Sequence, residues 1–314
     1  MNENTKRKND FRKTVTVVLF LLPAILLFFG LLVTPIVTSV FHSFFDYKGL
    51  SADSGNMKFV GFDNYIQLFT NDLYGFGTAL KNAFILAALS VFIQLPLSLG
   101  LALMLGKGIK GERFYLSVYF MPVLISAVVI GSLWTKIYDP KHGVLLYLLT
   151  LIGKQDWKPV GGWLGNEKTA LIAVFIPTVW QYVGYHMLLM YAGVKGVSPE
   201  LREAAMLDGA TDGQVDWYVV IPSIKGIIKV SIIFAITGSL KSYDLIKVFA
   251  GDAYNCSYRV PSLMLVRYVL NDQGGIGSAI AVMMIAMCFA IAIIINQAFK
   301  ERNPYGTKEL KQQS

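Results

Sequence analysis

The chain has 314 residues, of which 54% are hydrophobic and only 15% charged. That balance excludes an ordinary soluble domain, where charged residues make up about a quarter of the chain. The net charge of +8 is spread along the sequence rather than gathered in one patch, which excludes a nucleic-acid-binding surface.

Residues 1–13 are polar and basic, with Lys6, Arg7, Lys8, Arg12 and Lys13. An apolar run follows over about 14–41. It is too long for the core of a signal peptide and has no small-residue cleavage site, so an uncleaved membrane span is expected. Pro23 and Pro35 fall inside it and are tolerable in a membrane helix. Five more runs reach the ~20 residues that a crossing needs. They cover about 79–105, 113–138, 170–194, 227–250 and 277–299. The sequence therefore predicts an all-α integral membrane protein with six spans, one domain over 14–299 and a polar tail over 300–314. With the N-terminus inside, more than half of the 28 Lys and Arg fall on short inner segments. Loop basicity thus places both termini in the cytoplasm. Cys256 and Cys288 form no metal spacing and are expected as free thiols.

Between the fourth and fifth runs lies a polar, helix-prone stretch, 198–222. Ser198 is a candidate N-cap, with Pro199 at the first helical position and Glu200 at the positive helix end. Gly209 suits a left-handed C-cap. Thr211 and Gln214 have capping-box spacing for a second short helix. Pro222 is expected to interrupt the chain before the next span. Glu203, Asp208, Asp212 and Asp216 are candidates for the exposed side.

This stretch resembles a known motif. Glu203-Ala204-Ala205, then Gly209 after three residues, then Val219-Val220-Ile221-Pro222 after nine more, is similar to the EAA loop of ABC importer permeases. Further segments resemble the carbohydrate branch of that family. They are Phe59 through Tyr65 with Leu68 and Phe69, Phe120-Met121-Pro122 through Trp134, Asp139-Pro140 with Gly143, Gly238 through Asp244, and Gly277 through Ala281. The first span looks like that of the F-type maltose permease. Gly251-Asp252-Ala253 stands where the family usually has Gly-Gly-Pro.

The resemblance implies the six-helix, MetI-like fold of type I ABC importer permeases, in the cell membrane. It implies that Glu203, Ala204, Ala205, Asp208, Gly209 and Pro222 couple the chain to an ATPase. The implied partners are a homologous second permease, an ABC ATPase dimer, an extracellular solute-binding protein and a sugar. ATP would then be bound by the partner subunits and not by this chain, which has no GxxxxGK[ST] signature.

The sequence offers no catalytic or metal constellation: no HExxH, no nucleophile elbow, and only His42, His142 and His186, far apart. His186 reads as a packed, hydrogen-bonded residue. What remains is a pathway, because polar side chains in a span face the bundle interior or a water-filled cavity. Thr178, Gln181, Tyr182 and Tyr185 on the fourth span, and Ser239 and Ser242 on the fifth, offer hydroxyls, an amide and aromatic faces to a sugar. Helix-to-helix hydrogen bonding is the plainer use of the same residues. Lys241, Asp244 and Lys247 recur at three-residue steps, so Asp244 is expected to pair with either lysine. As lining groups, Lys241 and Asp244 suit an acidic or heavily hydroxylated cargo. The alternatives to a sugar permease are the same machine carrying glycerol phosphate, a polyamine or another small solute, and a six-span channel or intramembrane enzyme.

Overall fold

The computed structural model describes residues 3–48, 57–71, 74–251, 257–271 and 273–300. Asp252, Ala253, Cys256 and residues 301–314 lie outside the described residues. Five helical stretches are long and apolar enough to cross a membrane. They are Val15–His42 (span 1), Phe76–Gly106 (span 2), Ala170–Gly196 (span 4), Lys225–Ala250 (span 5) and Gly274–Ala298 (span 6). The helix of span 1 begins at Glu3, so the basic segment expected as a tail is helical from there on.

The run expected as one crossing over 113–138 is instead two helices, Glu112–Leu124 (span 3a) and Ala127–Ile137 (span 3b), bent by 94° at the break. Pro122 brings no N–H to the last turn of the first helix. Ile125 takes an extended conformation, and the Ser126 hydroxyl accepts the Val128 N–H at 3.3 Å to start the second helix. Hydropathy is blind to this, because the run stays apolar across the break.

Three helical runs widen just ahead of a proline. Phe29–Val33, Ser90–Gln94 and Asp216–Val220 are π turns, followed two residues later by Pro35, Pro96 and Pro222. In each, the residue preceding the proline donates its N–H five residues back: Thr34 to Phe29, Leu95 to Ser90, Ile221 to Asp216. The proline ring lacks a donor and crowds the carbonyl four residues earlier, and a wider turn gives it room.

The chain divides into two compact units. The smaller comprises Met1–Tyr74 and Leu265–Met283. A short antiparallel pair, Phe45 opposite Phe59 and Asp46 opposite Lys58, follows span 1. Buried Asn64 donates to the Ser43 and Phe45 carbonyls at 2.8 and 3.0 Å. Tyr47 and Ser278 share a hydrogen bond of 3.1 Å, and the Gly274 N–H donates to the Tyr47 carbonyl. A Cβ on Gly275 would lie 2.1 Å from the Phe45 carbonyl oxygen. Two of the segments quoted for the family resemblance therefore meet here, around Asn64 and around Ser278.

The larger unit comprises Gly75–Met264 and Met284–Ser314, and span 4 is its centre. One apolar cluster joins Ala83 and Leu86 of span 2, Val174 and Phe175 of span 4, and Leu240 and Ile246 of span 5. A second joins Ala102 and Leu105 to Met187, Met190 and Val194, and reaches Val215 and Val220 beyond span 4. Small residues permit the close crossings, as expected where apolar burial alone does not drive helix association. At Gly184, an added Cβ would sit 1.9 Å from the Tyr119 carbonyl oxygen of span 3a. After span 3b, Asp139 accepts the Lys141 and His142 N–H groups at 2.8 Å each. Those two donors hold its carboxyl below the usual carboxylate range. Cys288 in span 6 is a half-buried free thiol.

Candidate functional site

The eight residues expected to line a pathway converge on one cavity of about 450 Å³. Thr178, Gln181, Tyr182 and Tyr185 reach it from span 4, and Ser239, Lys241, Ser242 and Asp244 from span 5. The size is in the range of small-molecule sites. Tyr182 and Tyr185 keep exposed ring surface, and Tyr185 lies 6.4 Å from the Phe234 ring. Ser239 is buried, donates to the Ala235 carbonyl at 2.9 Å and meets Ser90 of span 2 at 3.3 Å. Thr178 donates to the Val174 carbonyl of its own helix.

Span 5 is interrupted within this lining. Its first helix ends at Leu240 and the second begins at Asp244. Ser239 and Ser242 therefore do not share one helix face. Nor do Lys241, Asp244 and Lys247 form a helical ladder. Lys241 and Asp244 form no ion pair with each other. Lys247 donates instead to the Gly251 carbonyl at 2.6 Å.

Ser90, Gln94 and His186 are among the lining residues that were not expected on the pathway. Ser90 and Gln94 lie at the ends of the π turn in span 2, both buried, both on the cavity. Their signal was a serine and an amide in an otherwise apolar run. His186, expected as a packed and hydrogen-bonded residue, is buried at 4% exposure, lines the cavity, and its Nδ1 has no partner among the described residues. Gln181 is equally buried; its Nε2 reaches the Ile125 carbonyl at 3.5 Å, while its Oε1 has no protein partner. A buried polar atom left unpaired is costly, and both belong to residues that line the cavity.

The loop over 198–222 forms a second functional surface. Its first helix, Pro199–Leu207, closes with a Schellman motif: the Gly209 N–H donates to Met206 and the Ala210 N–H to Ala205. Gly209 has φ +86°, the left-handed conformation that this closure demands. The capping box is present, with Gln214 Oε1 accepting from the Thr211 N–H at 2.8 Å. Ser198 takes the N-cap position, but its hydroxyl donates to Glu200 rather than accepting a backbone N–H. Pro222 stays inside a helical stretch, Ile221–Ser223, because the preceding π turn accommodates it; the chain turns at Ile224 instead.

Ala205, Ala210, Val215 and Val220 pack this loop onto spans 2 and 4. Glu203, Ala204, Asp208 and Asp212 are exposed, as expected of three of the four acidic candidates. Asp216, the fourth, is not: its side chain is 16% exposed and pairs with Lys107 at 2.9 Å. Charge alone gave no sign that a lysine from the turn after span 2 would reach it. Around the exposed carboxylates the surface is apolar, with Leu207 at 89% exposure and Met206, Trp217 and Tyr218 beside it in the loop. The sequence reading passed over these four. A second tie joins the start of span 3a to the end of span 4, where Glu112 pairs with Lys195 at 3.1 Å and accepts from Tyr191.

The Lys107–Asp216 pair helps to seat the loop. Asp216→Lys is expected to lower the unfolding temperature of the chain in detergent, and Lys107→Asp in the same chain to restore it. A double variant no more stable than the single one would show that the ion pair does not seat the loop.

The family model described as "binding-protein-dependent transport system inner membrane component" matches residues 94–302. The chain is 32% identical over 285 residues to the probable ABC transporter permease protein YurN of Bacillus subtilis, covering 90% of this chain and 95% of that protein. It is 29% identical over 301 residues to the diacetylchitobiose uptake system permease protein NgcF of Streptomyces coelicolor, covering 92% and 84%. Among solved structures it is similar in fold to a chain of a bacterial alginate ABC transporter, crystallised in complex with an alginate pentasaccharide-bound periplasmic protein. The TM-score is 0.77 at 21% identity, over 92% of this chain and 95% of the other.

Proposed function

The chain belongs to the family of binding-protein-dependent transport system inner membrane components, and from that membership we propose that it is the permease subunit of an ATP-binding-cassette importer for a sugar. It is a multi-pass membrane protein. The observation that carries the sugar reading is the cavity, which Thr178, the Gln181 amide, His186 and Ser242 line together with Tyr182 and Tyr185. Sugar hydroxyls donate to such acceptors, and the C–H faces of a sugar pack on aromatic rings. The diacetylchitobiose-uptake relative supports the same cargo class.

In this reading a homologous second permease completes the pathway, and a solute-binding protein delivers the sugar from outside. An ATPase dimer docks on Glu203, Ala204, Ala205, Asp208 and Gly209, with Pro222 at the far end of the loop. The chain needs no cofactor of its own, since ATP sits in the partner subunits. Both termini are cytoplasmic, on the same side as the loop. ATP-driven closure of the dimer displaces the loop, and the spans exchange inward-facing and outward-facing states. The closure must favour one state over the other, or the displacement does no work.

The test is sugar uptake in cells carrying the whole importer. Gln181→Leu is expected to lower uptake about tenfold, the cost of one hydrogen bond lost to a bound hydroxyl. Unchanged uptake would remove the cavity from the pathway. Lys241→Met is expected to leave uptake of a neutral sugar intact; its collapse would move the cargo to the phosphorylated or acidic class.

A further inference from the structure

A second cavity, of about 410 Å³, lies at the end of spans 5 and 6 nearest the 198–222 loop. Three cations face it: Lys225 and Lys229 from span 5, and Lys300 just after span 6. Asn296 and Phe299 complete the lining, with the Lys225 ammonium 5.9 Å from the Phe299 ring centre. Among the described residues none of the three lysines is in an ion pair. Lys225 and Lys229 are one helical turn apart, a spacing at which like charges repel.

The surface leading into this cavity is apolar. Phe289, Ile293 and Asn296 recur at four- and three-residue steps on span 6, and Lys300 follows four residues on. Phe289, Ile293 and Asn296 therefore form one stripe along the helix, and Lys300 lies just past its end. Phe289 and Ile293 are strongly exposed. From Phe289 to Asn296 the stripe runs ~10 Å at 1.5 Å per residue, about a third of the thickness of the hydrocarbon core. A basic pocket at the foot of an apolar stripe matches one ligand shape, a charged head on an acyl chain.

We propose that this cavity binds the headgroup of an anionic phospholipid, with Lys225, Lys229 and Lys300 on the phosphate and Phe289 and Ile293 along an acyl chain. Basic pockets between membrane helices hold such headgroups elsewhere. The site is distinct from the sugar cavity and stands whatever the cargo is.

The test is native mass spectrometry of the full-length chain released from nanodiscs of phosphatidylglycerol or phosphatidylcholine. Selective retention of phosphatidylglycerol is expected. Each of Lys225→Gln, Lys229→Gln and Lys300→Gln should weaken it about fivefold, the usual worth of one basic residue near an anionic surface. Phe289→Ser with Ile293→Ser should weaken lipid retention but not the binding of inorganic phosphate to the detergent-solubilised chain. Equal retention of both lipids, full retention by the triple lysine variant, or inorganic phosphate binding as tightly as the lipid would each overturn the proposal. Thermal unfolding of the variants in detergent, expected at the wild-type temperature, checks that they remain folded.

Discussion

Replacing Gly209 with valine is expected to abolish ATP-driven uptake while the protein stays folded in the membrane. Gly209 sits at φ +86° with open space around the position of a Cβ, so crowding is not the issue. The backbone is. A non-glycine residue in the left-handed region costs about 1–2 kcal/mol, and a β-branched one resists it most. Valine would move the residue out of that region and undo the bonds from Gly209 to Met206 and from Ala210 to Ala205. Pro199–Leu207 would then lose its fixed angle to Asp212–Ser223. Val215 and Val220 hold the second segment more firmly than Ala205 and the Arg202–Val194 hydrogen bond hold the first, so the first would shift and carry Glu203 and Leu207 with it. Gly209→Asn is the control: asparagine tolerates the same backbone region and should keep a substantial share of uptake. Glu203→Lys, which leaves the backbone alone, should also uncouple transport if the carboxylate meets an ATPase. The measurements are uptake and ATPase stimulation in the assembled importer. Full uptake in the valine variant would remove the loop from the coupling path.

The second large effect lies in the bundle. Gly184→Leu is expected to prevent folding, and Gly184→Ala to destabilise by about 3 kcal/mol, the upper part of the range for overpacking. The added Cβ would meet the Tyr119 carbonyl oxygen at 1.9 Å, the Tyr119 carbonyl carbon at 2.6 Å and the Phe120 Cα at 3.1 Å. These are backbone atoms of span 3a, so no side chain can rotate away. Relief requires the two helices to part, which takes the Gln181–Ile125 contact and one wall of the sugar cavity with them. Gly100→Ala, in the interior of span 2 with nothing within 4 Å, is the contrasting case and should be neutral or slightly stabilising. Thermal unfolding in detergent separates the two. Equal stability of the two alanine variants would contradict the close crossing at Gly184.

Apolar run length made the spans readable, and polar residues inside those runs made most of the cavity readable. Thr178, Gln181, Tyr182 and Tyr185 were visible because an amide and two phenols in a span need a reason to be there. The unread parts depend on direction and depth. Ile125 is as apolar as its neighbours, so nothing in its chemistry marks the point where the chain turns by 94°. Asp216 carries the same charge as Asp212, yet one is tied to Lys107 and the other faces outward. The end of the span 5 helix at Leu240 separated Lys241 from Asp244, because residue spacing implies a neighbour only while the helix continues. His186 was underrated for the opposite reason, since its partner was assumed from burial and its Nδ1 has none among the described residues.

The widened turns before Pro35, Pro96 and Pro222 have a mechanical consequence. An ordinary helix transmits force as a stiff rod, and bending it means breaking a bond in its ladder. At these three places the ladder has already been re-registered around a residue that contributes no donor, so the portions on either side can swivel with little further loss. Span 1, span 2 and the proposed lever, the 198–222 loop, each carry one such joint. A displacement of the lever can therefore reach the second half of span 2, through Lys107 and the Val215–Val220 seat, without dragging Phe76–Leu89 along. Motion in this protein would be jointed, with Ser90 and Gln94 at the pivot beside the cavity.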